Sequence, residues 1–247
     1  MPDYTTFENR LKNIAHPDIA HRIIGHVHGY AFHCLTIGKP ASSKPNILLS
    51  AGVHGDEPAG VEAILQFFER DIADIIQHFH IVVLPCVNPS GYVNNQRENT
   101  QGEDINRAFK NEVPESTLVK QQLAGYRFDV FLDMHEDYDA TGTYFYEGKR
   151  NGAWLAPSIA QRAKKIGPLD ADTGETDIPL AEGVLQVDPA WGESGFTSYV
   201  YIHHADHVMI TETSSNWPMD RRAKVHLLTL DMTLDHYSTS LKGEPRE

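Results

Sequence analysis

In the stretch AGVHGDEPAG (51–60), His54 and Glu57 stand three residues apart, directly after an apolar run. That spacing lets an imidazole and a carboxylate reach one ion from a turn that enters a helix. A catalytic zinc site takes three protein ligands of N or O type and keeps one position for water. The pair therefore needs a third member, and His135, at the exit of VFLDMH, is the candidate. Metal-bound histidine usually donates its second ring N–H to a carboxylate. Asp104 is the expected partner of His54. Asp133 is the weaker choice for His135, because residues two apart share a face only while a strand stays regular. Glu212, in MITETSS, closes another apolar stretch. A carboxylate there is costly to bury without a partner or role. Partial desolvation would raise its pKa and suit it to general acid–base work. The loop NPSGYVNNQRENTQGEDINRAF (88–109) carries Arg97 and Arg107, with Asn106 beside the second. One guanidinium can stabilise an oxyanion; the other can hold a carboxylate with a bidentate fork. The plain alternatives are a polar loop for His54–Glu57, a capped strand end for His135 and a turn-capping acid for Glu212.

These residues are useful together only if the fold brings them to one place. NILLSAG (46–52), HIVVLPCVN (80–88), DVFLDMH (129–135) and ADHVMITET (205–213) are short apolar runs, expected as strands covered on both faces. TYFYEG (143–148) is β-rich, and GKPASSKP (38–45) reads as the loop before the first buried strand. From Pro58, apolar residues recur at Val61, Ile64, Leu65, Phe68, Ile72 and Ile75, a helical rhythm. Further helices are expected around Ser116–Ala124, from about Pro157 to Ile166 with Gly167 as the stop, and from Asn216–Pro218 to about Ser238. Strands alternating with helices imply a mostly parallel sheet between two helical layers, an α/β/α sandwich. His54 and Glu57, the 88–109 loop, His135 and Glu212 each follow a different strand, so a parallel sheet gathers them at its carboxyl edge.

With 247 residues, the chain is read as one domain spanning 1–247. Its formal charge of −13 argues against nucleic acid or an anionic membrane surface as partner. No run reaches the roughly 18–20 apolar residues of a membrane span, and the N-terminal stretch shows no apolar signal segment, so a cytoplasmic location is expected. Cys34 and Cys86 sit in apolar runs and read as buried free thiols. His78, His80, His203, His204 and His207 read as surface or core-edge residues. The composition leaves the oligomeric state open.

HGDE, then an NPxG…R…GxDxNRxF loop, then a strand ending in histidine, then one ending in glutamate: this order resembles the zinc carboxypeptidase superfamily. That group includes the succinylglutamate desuccinylase/aspartoacylase branch and small bacterial murein-peptide amidases. The resemblance covers residues 46–215. It implies a three-layer α/β/α fold with a mostly parallel mixed central sheet, and one zinc ion held by His54, Glu57 and His135. It further implies Glu212 as general base, Arg97 beside the scissile carbonyl, and Asn106 with Arg107 on the substrate's terminal carboxylate. Tyr199 and Tyr201 lie where carboxypeptidases keep a mobile tyrosine, although nothing aligns either one. The implied reaction is hydrolysis of an amide next to a free carboxylate, on a small peptide or, alternatively, an N-acyl amino acid. Gly55-Asp56 stands where digestive carboxypeptidases carry an arginine. The acylase branch usually continues into a further β-rich domain, whereas one helix and a short tail follow Glu212, which favours the peptidase reading. Glu136, Asp137 and Asp139 beside the third ligand read as solvated loop acids, with a second metal or a rim for a cationic substrate group as alternatives.

Overall fold

The structure, a computed structural model, describes residues 3–170 and 177–240. Nine strands form one mixed sheet among these residues: β1 (Ile19–Val27), β2 (Tyr30–Ile37), β3 (Asn46–Ala51), β4 (His80–Leu84), β5 (Val130–Asp137), β6 (Tyr144–Lys149), β7 (Pro179–Ala181), β8 (Val184–Gln186) and β9 (His207–Ser214). Their order is β1-β2-β4-β3-β5-β9-β6-β8-β7. The four central strands run parallel, β4 and β5 on either side of β3 and then β9. Antiparallel pairings join the flanking strands to this centre. The helices are α1 (Tyr4–Lys12), α2 (Pro58–Phe68), α3 (Ala73–His78), α4 (Pro89–Asn94), α5 (Pro114–Leu123), α6 (Ala156–Ala163), α7 (Phe196–His203) and α8 (Met219–Ser240).

Both faces of the central strands are apolar because both are covered. Ile47, Leu49 and Ala51 of β3 point to one side with Ile81 and Val83 of β4, and pack against Val61, Ile64 and Phe67 of α2 and Leu230 of α8. Leu48 and Val82 point to the other side, with Val119 and Leu123 of α5 and Phe196 and Val200 of α7. The period of two along each strand thus feeds two separate cores. Deleting one such side chain, as in Leu48→Ala, costs on the order of 2–5 kcal/mol.

The rhythm from Pro58 to Ile75 is broken in two. Helix α2 stops at Phe68, and α3 begins after Asp71, whose side chain accepts the Ala73 N–H at 3.1 Å. β4 ends at Leu84 because Pro85 offers no N–H to the ladder, and Val87 and Asn88 then bond back to Ala51 and Gly52. Helix α1 and strand β1 are additions to the sequence reading, and β2 contains the apolar run around Cys34. Cys34 and Cys86 are free and buried. His78 and His203 are exposed, but His80, His204 and His207 are buried, each bonded to a polar partner: Asn46, the Tyr126 carbonyl, and Glu147 with Tyr237. No helix among the described residues is long and apolar enough to cross a membrane.

Candidate metal centre

At the carboxyl edge of the central strands, β3 delivers His54 and Glu57, and β5 delivers His135. Glu57 is the residue before Pro58, which opens α2, so the helix fixes its backbone. Its carboxylate lies between the two imidazoles: Oε1 is 2.5 Å from His54 Nδ1 and Oε2 is 2.8 Å from His135 Nδ1. All three residues are buried, and their ligand atoms lie within 4.8 Å of one another. Behind them, Asp104 sits 3.3 Å from His54 Nε2 and Asp133 sits 3.1 Å from His135 Nε2. Asp133 also accepts from Ser50 at 2.5 Å and Thr197 at 2.8 Å. The weaker expectation for Asp133 is thereby corrected. β5 stays regular through Asp137, so residues two apart do share a face.

The electrostatics of this cluster call for positive charge. Burial alone would lower the pKa of both histidines, yet Glu57 with Asp104, and Asp133 with Glu57, hold His54 and His135 above the ordinary value. Burial would raise Glu57, but the two imidazoles beside it keep its carboxyl below its usual range. Two nitrogens and one carboxylate, buried and backed by further carboxylates, fit a metal ion of N/O preference.

Glu212 is the β9 register partner of His135, and Tyr144 of β6 is its partner on the other side. Burial, with Glu57, Asp137 and Asp133 nearby, pushes the Glu212 carboxyl well above its usual range against the opposing pull of His135. Arg97 reaches the same point from the loop after β4. Its Nε is 3.1 Å from Asp104 Oδ2 and its Nη1 is 3.8 Å from Glu57 Oε1. Two hydrogen bonds to the Arg97 carbonyl hold its backbone, from the Gly55 backbone N–H at 3.3 Å and the Asn88 side-chain amide Nδ2 at 3.1 Å. Gly55 is required here, because a Cβ would sit 2.0 Å from the Gly91 carbonyl carbon of α4. Asn106 accepts the Phe196 N–H at 2.9 Å, which fixes the start of α7. Exposed Arg107 bonds only its neighbour's carbonyl through Nη1, and no carboxylate among the described residues pairs with it. His54, Glu57, Arg97, Asn106, Arg107 and Glu212 all line one cavity of about 1000 Å³.

The sequence pattern of the succinylglutamate desuccinylase/aspartoacylase catalytic domain matches residues 43–168. The chain belongs to this family. It is a branch of the zinc carboxypeptidase-like superfamily, and similarity extends across that group. A carboxypeptidase 2 of Trichophyton tonsurans is 32% identical over 138 residues, 53% of this chain and 25% of that protein. Murein peptide amidase A of Escherichia coli K12 is 39% identical over 70 residues, 28% of each chain. The match thus spans about a quarter of the length of these relatives. Among solved structures, a protein of Shewanella amazonensis SB2B provisionally named a metallopeptidase superposes with a TM-score of 0.84 at 24% identity, over 95% of this chain and 93% of that one. Carboxypeptidase A of Helicoverpa armigera superposes with a TM-score of 0.68 at 16% identity, over 96% of this chain and 72% of that one. These likenesses agree with the mixed α/β/α architecture.

Two residues marked out by the superfamily resemblance lie elsewhere in this family member. Tyr199 packs on Phe109 with Lys120 over its ring, and Tyr201 lies under the Arg150 guanidinium, so neither lines the cavity. Helix α7 presents Thr197 and Ser198 there instead. The cavity's tyrosines are Tyr138, Tyr144 and Tyr146, with Trp191 edge-on to Tyr146. Strand parity in TYFYEG could have revealed Tyr144 and Tyr146, since residues two apart share a face. Of the acids after His135, Glu136 is buried against Arg222 of α8, a residue the sequence reading passed over. Asp137 accepts the Tyr144 hydroxyl at 2.7 Å and the Asp139 N–H at 2.8 Å. Among the described residues, His54, Glu57 and His135 are the only group placed to share an ion, so no second cluster forms around these acids.

Proposed function

We propose that this chain is a zinc-dependent hydrolase that cleaves an amide bond next to a free carboxylate in short peptides. The observation that carries this reading is the meeting, in one cavity, of His54 and Glu57 with Glu212, Arg97 and Arg107, His135 completing the ligand cluster from behind the cavity wall. A bound zinc ion would polarise the carbonyl and lower the pKa of its water. Glu212 takes the proton of the attacking water on its carboxylate and passes it to the leaving amine. Its raised pKa makes the carboxylate a stronger base for the first of these transfers. Arg97 donates to the oxyanion, held in aim by Asp104 and by its tied backbone. Arg107 grips the substrate carboxylate, with Asn106 fixing the wall beside it. Asp104 and Asp133 orient the histidines.

Cavity size supports a peptide: about 1000 Å³ exceeds what a single acylated amino acid fills, and Tyr144, Tyr146, Trp191 and Ile210 supply apolar lining. The family match favours a second reading, deacylation of an N-acyl amino acid. Turnover of a panel of dipeptides, tripeptides and N-acyl amino acids, with chelator and after zinc is restored, separates them. Peptide hydrolysis that stops with chelator and returns with zinc supports the first reading. Turnover of N-acyl amino acids alone moves the assignment to the second. Hydrolysis indifferent to chelator defeats the zinc mechanism.

A further inference from the structure

Glu136 follows the ligand His135, and strand alternation turns its side chain to the opposite face, under α2 and α8. Three contacts converge on it. Its backbone N–H donates to Glu57 Oε2 at 3.1 Å. Its Oε1 accepts the Ala59 N–H at 2.6 Å, in the first turn of the helix that Glu57 opens. Its Oε2 pairs with Arg222 Nη1 from α8. One strand residue thus restrains a ligand twice, at the carboxylate and at the backbone two positions on, and α8 holds that residue in turn.

The Glu136 side chain is 0% exposed and that of Arg222 is 13% exposed, where both border the wall of the cavity. Arg222 makes no other ion pair among the described residues, and its Nε is buried without a hydrogen-bond partner. One turn along α8, His226 is also buried with neither ring nitrogen partnered. No other carboxylate among the described residues competes for the guanidinium. A buried ion pair is weak evidence for added stability, so its role here is sought in position.

The geometry points to Arg222 as a positioning residue that, through Glu136, sets how tightly Glu57 binds the metal. This rests on the metal reading above. Position and charge predict opposite signs. Removing Arg222 takes a cation away from beside the site, so electrostatics alone would tighten metal binding. Loss of position weakens it.

The test is zinc affinity of the metal-free protein, measured by competition with a chromophoric chelator, for wild type, Arg222→Met, Arg222→Lys and Glu136→Gln. Wild type is expected to bind one equivalent. Arg222→Met and Glu136→Gln should each bind about 10–100-fold more weakly, and Arg222→Lys should recover part of the loss. Tighter or unchanged binding by folded Arg222→Met overturns the inference. A lowered melting temperature with unchanged zinc affinity also overturns it, since that describes a merely structural pair. If Arg222→Met does not fold, Arg222→Gln, which also removes the cation, decides on the same criteria. Absence of zinc binding by wild type would sink the metal reading itself, a result distinct from any of these.

Discussion

His226 gives the sharpest quantitative expectation. It lies fully buried on α8 with both ring nitrogens unpartnered. Burial lowers its pKa from 6.5 to about 3; His135 and Arg222 push the same way, and Glu57 opposes them. The folded chain therefore refuses a proton that the unfolded chain accepts between these two values. Stability is complete above the unfolded value of 6.5, falls as pH drops through the window, and stops falling below about 3. At about 1.4 kcal/mol per pH unit, the loss at pH 5 relative to neutral pH is roughly 2 kcal/mol. Urea unfolding of wild type and His226→Leu at pH 7.5 and pH 5, both with chelator present, isolates this effect. The stability difference between the two proteins should shift by roughly 2 kcal/mol in favour of the variant at the lower pH. Titrating groups that do not interact with His226 cancel in that difference, so an equal difference at both pH values would refute the reasoning.

Glu212→Gln should retain zinc, as read by metal content, and lose about 10²–10⁴-fold in turnover. Arg97→Ala should lower kcat by about 10²–10³-fold at similar zinc content, since one oxyanion donor is gone. Arg107→Ala should raise KM for peptides with a free carboxylate and leave weakly hydrolysed C-terminal amides unchanged. Glu147 is buried where it accepts the Leu155 and Ala156 N–H groups at the start of α6 and pairs with His207 at 2.7 Å. Burial would raise its carboxyl, but His207 and those amides hold it below 4.5. Its stabilisation is therefore present above 4.5 and lost as pH falls through the lower folded value, and Glu147→Gln should cost roughly 1–3 kcal/mol at pH 7 in a denaturant titration.

Much of the candidate site could be read before the fold, because its residues sit at the ends of apolar runs. The parallel sheet then does the assembling. His54, Glu57, His135 and Glu212 needed only their order and their strands to be placed together. What escaped reading depends on partners distant in sequence. Arg222 is an ordinary charged residue on a helix until β5 places Glu136 beneath it. Tyr199 and Tyr201 sit on a helix whose orientation is set by Asn106 capturing the Phe196 N–H, a contact across 90 residues. The β1–β2 hairpin interleaves histidines with aliphatic residues, which blurs the alternation that marks a strand. Asp133 was legible in type, but its role depended on β5 remaining regular past the ligand.

The contact of Gly55 with Gly91 constrains how this site can change. A Cβ on Gly55 would meet the Gly91 carbonyl carbon, and one on Gly91 would meet the Asn88 side chain and the carbonyls of Gln96 and Glu98. The turn that carries His54 and Glu57 and the loop that carries Arg97 are therefore stacked backbone on backbone, with no side chain between Gly55 and Gly91 to absorb a mismatch. Moving either by an ångström moves the other. A new specificity cannot be grafted by exchanging the 88–109 loop alone; the His54 turn has to travel with it as one cassette. Tyr138 and Trp191, both exposed at the cavity wall, are the places where substrate range can drift with least effect on the chemistry.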